Sequence, residues 1–287
     1  MYILSIRYLI HVAVKKLKNA LSLQSFFRLK DLQTDEAICK SYLSSLPSGV
    51  SFRDTIDAAY RLCPELEEYC KANEEIFNVK KGRDKGLTGK MVEFYIFGQL
   101  PNTDPNPDLA WGADIKATHF KTIKSNGFNA KERVTITNCG NEHDYSSFDD
   151  VLKAPSLQSC KYYPKIRKGV LFVFEYKEGK NNDINVILAE TLLCCFAYDL
   201  ETMPEEDTAQ LNADFVHIKS TIRAQAITQS GQIFLHIPSH GAGHGSDTKA
   251  LAFTNKFDTK LVSIMTGYPM SIRGVSWYIE KRHFSGK

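Results

Sequence analysis

The run GVLFVFEY, residues 169–176, constrains the fold more than any other segment of this chain. Its apolar residues are consecutive, so both faces of the strand that it predicts must be covered. A strand with one solvated face would alternate apolar and polar residues. The chain has 287 residues, 43% of them hydrophobic, and can bury a sizeable core around such a strand. We predict an α/β (or α+β) fold with a mixed central sheet flanked by helices.

Two regions differ in their pattern. Residues 1–80 have the spacing of helices, for example in SFRDTIDAAYRL, where Ser51 is the expected N-cap. Strands dominate from residue 113, and a helix begins near Glu205, where Pro204 and acidic residues suit a helix N-terminus. The expected strands are ADIKATHF, ERVTITN, GVLFVFEY, INVILAETL, GQIFLHI and VSWYIEKRHF. We predict a helical N-terminal extension, residues 1–80, packed on a domain of residues 81–287.

Three carboxylates and a lysine before and within the first predicted strand have a spacing that suits a metal site. ADIKATHF alternates in polarity, which predicts a half-buried strand with Asp114 and Lys116 side by side on its polar face. Asp108 precedes LAWG, which is expected to form a neighbouring strand, and Glu93 lies in a predicted helix. Hard cations such as Mg²⁺ bind carboxylate oxygens. The alternative is that Asp114 and Lys116 are a solvated charge pair, since DxK is common in proteins.

Several motifs in order strengthen the metal hypothesis. KGLTGKMVEF, a Pro-Asp pair, GADIKATHFKTIKSNG and AKERVTIT resemble the catalytic half of the MutH-type PD-(D/E)xK endonucleases. This family comprises the mismatch-repair nickase and related type II restriction enzymes that cut at GATC, and the run KATHFKTIKSNG…KERV is closer to the restriction branch. The resemblance extends more weakly from about residue 80 to about residue 284. It implies two lobes around a DNA cleft and Mg²⁺ as the cofactor.

The resemblance also implies roles for individual residues. Asp108 and Asp114 would bridge the metal, Glu93 would complete its ligand shell, and Lys116 would position or polarise the attacking water. Lys165, in PKIRKGVLF, resembles the family's second lysine near the scissile phosphate. Two departures concern Asp114: the family more often has Glu there, and the interval from Asp108 is one residue tighter than in the nickase.

Sequence readout is expected in IPSHGAGHGSDTKALAF, residues 237–253, where the relatives have a groove-entering loop and where the glycines favour an open loop. The nickase has Arg-Pro-Lys at this point, whereas this chain has Ile237, Pro238 and Ser239 and lacks the arginine that reads guanine best. A metal site is the alternative for the two histidines of this loop. The expected DNA contacts are Lys85, Lys90, Ser239, His240, His244, Lys249 and Lys281.

The residues and the resemblance together predict a Mg²⁺-dependent endonuclease that hydrolyses double-stranded DNA at a short site, GATC or a related one. A double-strand cut at a palindrome favours a homodimer on DNA. One alternative is a methylation-directed repair nickase with a MutL-like partner. An alternative of another class is a non-catalytic DNA-binding module, against which the intact acidic set argues. The net charge of +3 permits DNA binding without requiring it.

Cysteine use and the N-terminal segment bear on the compartment. Seven cysteines without zinc-type spacing favour a reducing cytoplasm. The run MYILSIRYLIHVAVKKLKNAL is interrupted by Arg7 and His11, and is therefore too short and too charged to span a bilayer. We expect an amphipathic helix packed on the domain. An interfacial membrane helix and a signal peptide are the alternatives.

Overall fold

The computed structural model of the chain describes residues 26–77, 86–102, 104–124, 126–177, 183–228, 230–239 and 247–284. The α-helices of these residues are α1 (Leu29–Thr34), α2 (Glu36–Ser45), α3 (Phe52–Leu62), α4 (Pro64–Phe77), α5 (Leu87–Phe97), α6 (Asp149–Lys153), α7 (Tyr163–Arg167), α8 (Ile184–Leu188), α9 (Glu205–Arg223) and α10 (Asn255–Thr266). The strands are β1 (Val50–Ser51), β2 (Asp114–Ile123), β3 (Gly127–Ala130), β4 (Thr135–Asn141), β5 (Lys168–Glu175), β6 (Thr191–Asp199), β7 (Leu235–His236), β8 (Thr248–Phe253), β9 (Met270–Arg273) and β10 (Ser276–Glu280). Short 3-10 helices span Tyr145–Phe148, Leu200–Thr202 and Lys281–His283.

Two sheets organise these elements. Seven strands form the main sheet in the order β1-β6-β5-β2-β3-β10-β9, and β4, β8 and β7 form a second sheet. Strands β2 and β5 run parallel, with Asp114 opposite Gly169, whereas β3 and β6 pair antiparallel with them on either side. The prediction of a mixed α/β fold with a mixed central sheet and flanking helices is confirmed at that level.

Strand β5 has a hydrophobic core on both faces. Val170, Phe172 and Phe174 belong to one buried cluster, whereas Leu171 and Val173 belong to another. Alternate residues of a strand point to opposite faces, so the main sheet is covered on both sides. This confirms the interpretation of GVLFVFEY as a central strand.

The helices α1 to α5 share one core with the first of these faces. Tyr42, Phe52 and Phe94 lie in the same buried cluster as Phe172 of β5. Helix α3 begins as predicted, because the Ser51 hydroxyl accepts a hydrogen bond from the backbone N–H three residues later. The described part of the N-terminal region is therefore helical apart from β1, which pairs with β6 at the sheet edge. Residues 1–25 lie outside the described residues.

The opposite face is covered by α9, α10 and the second sheet. Four apolar side chains of α9 are buried as predicted: Leu211, Phe215, Ile218 and Ile222. On the same helix the buried Asp214 carboxylate accepts hydrogen bonds of 2.5–3.1 Å from the N–H groups of residues 233–235. The N–H groups of residues 233 and 234 are thus bonded to a side chain and cannot pair with a neighbouring strand. GQIFLHI therefore contributes only the two-residue β7, not the full predicted strand.

Two further predictions of secondary structure are wrong. INVILAETL is divided between helix α8 and the start of β6, because the Asp183 side chain caps α8 at the Asn185 N–H, 2.8 Å away. The segment after Asp108 is a turn rather than a strand, closed by a 2.9 Å hydrogen bond from the Leu109 N–H to the Ala113 carbonyl.

Burial corrects two more predictions. ADIKATHF does form a strand, but it is not half-buried, since Asp114 and Thr118 on its polar face are enclosed as well. The open loop expected over residues 237–253 ends in β8, whose last four residues, 250–253, are core. The loop was predicted too long because β8 is a short strand that directly follows a glycine-rich stretch.

Within the described residues, no helix combines the length and the apolar character that a bilayer crossing requires. All seven cysteines are free thiols, and six of them are buried.

Candidate functional site

The N-terminal ends of the two parallel strands bring together residues that are distant in sequence. Asp114 is the first residue of β2 and lies opposite Gly169, the second residue of β5. Lys165 is in the short helix α7 that leads directly into β5. Parallel strands begin at the same end of a sheet, so Lys165, just before β5, and Asp114, the first residue of β2, meet at that end.

Asp114 lies between two lysines and is almost inaccessible, at 1% exposure of its side chain. The Lys116 Nζ is 2.5 Å from its Oδ2, and the Lys165 Nζ is 3.6 Å from its Oδ1. Lys116 is two residues along the same strand, so its side chain points to the same face. Among the described residues, neither Asp114 oxygen accepts a hydrogen bond of good geometry. A buried carboxylate whose oxygens lack a hydrogen-bond donor of good geometry retains the capacity to bind a further cation.

Asp108 approaches Asp114 from the turn before β2. Its Oδ2 accepts a 2.7 Å hydrogen bond from the Ile115 N–H, which fixes the carboxylate against the strand. Burial, and then the negative charge of Asp114, raise the pKa of Asp108 to about 6. The Gln99 amide donates a 2.9 Å hydrogen bond to the Asp108 carbonyl and so links this turn to the end of helix α5.

Glu93 reaches the same point from helix α5, as predicted. Burial, and then the charge of Asp108, raise the pKa of Glu93 to about 7, although the charge of Lys116 acts in the opposite direction. The helix ends at Gly98, which has φ of +59°, and the Gln99 N–H returns to the Glu93 carbonyl at 3.0 Å. The structure therefore brings Glu93 into electrostatic contact with both aspartates.

Lys165 is held on both sides. Its Nζ donates a 2.9 Å hydrogen bond to the Asp104 carbonyl, besides its contact with Asp114. The backbone segment before Asp108 and the helix before β5 are thereby joined across the site. All five residues predicted for catalysis, Glu93, Asp108, Asp114, Lys116 and Lys165, thus belong to one cluster.

Gly169 and Tyr198, which lie beside Asp114, are not predicted as part of the site by the sequence. Gly169 lies against Tyr198 of β6, and a Cβ at position 169 would come within 2.5 Å of the tyrosine oxygen. Burial, and then the charge of Asp114, raise the pKa of Tyr198 above its usual range. A glycine at the start of the bulky run GVLFVFEY was the available signal. Gln99 gave no such signal, because its contact depends on the fold of the turn.

The donor set fits a hard divalent cation. Glu93, Asp108 and Asp114 supply carboxylate oxygens, and Mg²⁺ in proteins uses one or two carboxylates together with substrate phosphates. The pKa values of Glu93 and Asp108 are raised because burial and mutual repulsion outweigh the neighbouring lysines. An added cation would relieve this repulsion. Glu93, Asp108 and Asp114 are therefore the residues that could hold a metal here, although among the described residues it is Glu142, His143 and Asp247, not these three, whose ligand atoms all lie within 4.8 Å of one another.

The residues predicted to contact DNA do not form one cluster as the five residues predicted for catalysis do. Lys249 is buried in β8, where its Nζ lies 2.5 Å from Glu142 Oε2 and donates a 2.7 Å hydrogen bond to the Ser239 hydroxyl. Its ammonium group is thus engaged within the protein. Lys281 lies with its Nζ 4.9 Å from the centre of the Phe128 ring.

Of the other residues predicted to contact DNA, two lie among the described residues and three do not. Lys90 is on α5, one turn before Glu93, and its charge favours ionised Glu93. Ser239 is exposed. Lys85, His240 and His244 lie outside the described residues. DNA contact by all these residues stays a prediction.

A second acidic cluster lies beside Lys249. One ligand atom each of Glu142, His143 and Asp247 falls within 4.8 Å of the others. His143 is 74% exposed, its Nε2 is 3.0 Å from Asp247 Oδ1, and Glu142 is already paired with Lys249. This is the arrangement of a surface ion-pair network, and the sequence analysis did not identify it.

No protein-family model matches the chain, and a comparison with curated proteins finds no significantly similar sequence. The geometry of the cluster around Asp114 therefore carries the functional argument.

Proposed function

We propose that this chain is a Mg²⁺-dependent endonuclease that hydrolyses double-stranded DNA at a short specific site, GATC or a related one. The single observation that carries the proposal is the convergence of Glu93, Asp108, Asp114, Lys116 and Lys165 at the start of two parallel strands. A structural ion pair needs neither three clustered carboxylates nor raised carboxyl pKa values.

In this proposal Asp108 and Asp114 would hold the metal and Glu93 would complete its shell. Bound Mg²⁺ would lower the pKa of a coordinated water and neutralise charge on the scissile phosphate. The Ile115 N–H fixes Asp108, and the two lysines fix Asp114, so the carboxylates are positioned before substrate arrives.

The lysines supply the fixed positive charge. Lys116 and Lys165 lie on different oxygens of Asp114 and are partly exposed, at 20% and 15%. Phosphodiester hydrolysis builds negative charge on phosphate oxygens, and preorganised cations in a site of low dielectric stabilise that charge most strongly. Lys116 orients the attacking water, and Lys165 contacts the phosphate.

The proposal includes membership of the MutH-type family, with a PD-(D/E)xK fold and two lobes around a DNA cleft. The seven-stranded mixed sheet, with Asp114 at the start of its central strand β2, supports this assignment. Two protomers on the duplex would provide the two catalytic sets of a double-strand cut. Seven free thiols suit a cytoplasmic enzyme.

The test is to incubate the purified protein with a mixed double-stranded DNA substrate and Mg²⁺ and to sequence the ends that it leaves. We expect ends with 5′-phosphate at one short sequence, and no cutting with EDTA or by Asp114→Asn. Unmethylated, hemimethylated and fully methylated plasmids separate a restriction enzyme from a nickase. Equal end formation by the wild type and by folded Asp114→Asn would remove the nuclease proposal.

A further inference from the structure

The first described helix, α1, contacts the turn that carries Asp108. The Gln33 carbonyl of α1 accepts a 2.9 Å hydrogen bond from the Ala110 N–H, within that turn. The Gln33 side-chain amide donates a 2.7 Å hydrogen bond to the Phe97 carbonyl, the last residue of α5. One residue of α1 therefore joins the segment of Asp108 to the helix of Glu93.

A second contact joins helix α2 to the start of β5. The Lys168 Nζ is 2.7 Å from Glu36 Oε2 and 3.4 Å from Asp199 Oδ2. Lys168 is 16% exposed and immediately precedes Gly169, the partner of Asp114 in the parallel pair. An ion pair that is mostly shielded from water is weakened less by salt than a surface pair.

The same lysine also contacts the turn. Its Nζ lies 5.9 Å from the centre of the Trp111 ring, three residues after Asp108 and three before Asp114. The Glu36–Lys168 pair is thus adjacent to the turn and to the strand start at once. Hydrogen bonding with Lys168 is also the largest cause that lowers the pKa of Glu36, which keeps this partner ionised.

We propose that helices α1 and α2 act as positioning elements of the metal site, through Gln33 and the Glu36–Lys168 ion pair. The three segments that supply metal ligands or their neighbours, namely the turn, the end of α5 and the start of β5, are tied to these two helices. The inference rests on the proposed function, because it takes Asp108, Asp114 and Glu93 as metal ligands. It assigns the N-terminal helices a role in metal affinity.

The experiment measures Mn²⁺ binding by electron paramagnetic resonance of the free ion, a readout that does not require DNA cleavage. Full-length Glu36→Gln, Lys168→Met and Gln33→Leu are each expected to bind Mn²⁺ about tenfold more weakly, as is typical when a ligand's supporting partner is lost. Lys168→Arg, which keeps the charge, is expected to stay within about threefold of the wild type.

Matched controls come from helix α4. Glu67 and Lys71 form an exposed pair at 2.6 Å, so Glu67→Gln and Lys71→Met make the same chemical changes without contact to the turn. They are expected to bind Mn²⁺ like the wild type. Cleavage assays add a second signature: saturating Mg²⁺ should restore kcat in Glu36→Gln at unchanged KM for DNA, whereas general loss of fold would not respond to metal.

The outcomes separate the two proposals. If folded Asp114→Asn binds Mn²⁺ as tightly as the wild type, the metal site and the proposed function both fall. If Asp114→Asn loses binding but Glu36→Gln, Lys168→Met and Gln33→Leu retain it, only the positioning role falls. Thermal unfolding identifies variants that do not fold. Should Lys168→Met be one of them, two milder variants decide the question: Glu36→Gln, which tests the ion pair, and Gln33→Leu, which removes only the hydrogen bond to the Phe97 carbonyl.

Discussion

The start and the middle of strand β2 both bury charged side chains, but they resolve the charge differently. In the middle of the strand, the His119 ring contacts two carboxylates: its Nε2 is 3.0 Å from Glu190 Oε2 and its Nδ1 is 3.8 Å from Glu132 Oε2. Glu190 is 1% exposed, as inaccessible as Asp114. At the start of the strand, the charge of Lys116 acts on Asp108 and Glu93 as well as on Asp114.

The pKa shifts favour the charged forms around His119 and disfavour them around Asp114. Burial opposes a charged His119 ring, but the interactions with Glu132 and Glu190 outweigh burial and raise the pKa of His119 to about 9. Interaction with the His119 ring, 3.8 Å away, lowers the pKa of Glu132 to about 2. Glu93 and Asp108 shift upwards instead. The comparison teaches that a finished ion-pair network stabilises its own charges, whereas an acidic cluster that resists ionisation is suited to a ligand of positive charge.

The largest expected difference is in catalysis. Asp114→Asn should lower the cleavage rate by about a thousandfold, because a metal ligand is lost, while DNA binding persists. His119→Gln should keep the rate within about threefold of the wild type. Rates under single-turnover conditions and filter-binding measurements with the same DNA check both statements. A comparable rate loss in folded His119→Gln would erase the distinction between the start and the middle of β2.

The next largest effect is on stability. His119 has a folded pKa of about 9, above its ordinary 6.5, so its ionisation stabilises the fold fully below pH 6.5 and ceases to do so as pH rises through 9. His119→Gln should therefore cost on the order of 3 kcal/mol at pH 6, with the difference from the wild type shrinking by pH 9.5. Urea unfolding at the two pH values measures this difference.

His143 offers the control for that experiment. It is 74% exposed, so His143→Gln should change the free energy of unfolding by less than about 0.5 kcal/mol at either pH. A destabilisation of His119→Gln that is the same at pH 6 and pH 9.5 would mean that the ring's charge does not contribute.

The smallest effect concerns metal affinity and pH. Metal ligands must be deprotonated, and the pKa values of Glu93 and Asp108 are about 7 and about 6. Mn²⁺ binding should therefore tighten by about tenfold from pH 6 to pH 8. Electron paramagnetic resonance titrations at several pH values measure the change. In Glu93→Gln the change above pH 6.5 should diminish; an affinity independent of pH in the wild type would contradict the raised pKa values.

The sequence predicted much of the start of β2 and little of its middle. Periodicity placed Asp114 and Lys116 on one face of a strand, and the pattern of KMVEFYIFGQL placed Glu93 on a helix. The same periodicity gave no sign that His119 would find Glu190, which lies 71 residues further on. Partners at such separations are set by tertiary packing.

Backbone contacts were also beyond sequence reasoning. The Gln33 carbonyl and the Ala110 N–H are backbone groups, which almost every residue carries, so nothing in the sequence singles them out. Lys165 was identified only through the resemblance, because its approach to Asp114 depends on the parallel pairing of β2 with β5. The turn after Asp108 was mistaken for a strand because its apolar residues do not differ in type from those of a short strand.

That parallel pairing has a consequence for how the molecule assembles. Strands β2 and β5 are joined by residues 124–167, which must complete a long excursion before the two strand starts can meet. Closing such a connection costs chain entropy before any contact repays it, and non-local pairing of this kind slows folding. A nascent chain that ends before residue 165 carries the carboxylates without Lys165. The complete set of carboxylates and lysines therefore forms only late in folding, when the connection of residues 124–167 packs and β5 pairs with β2.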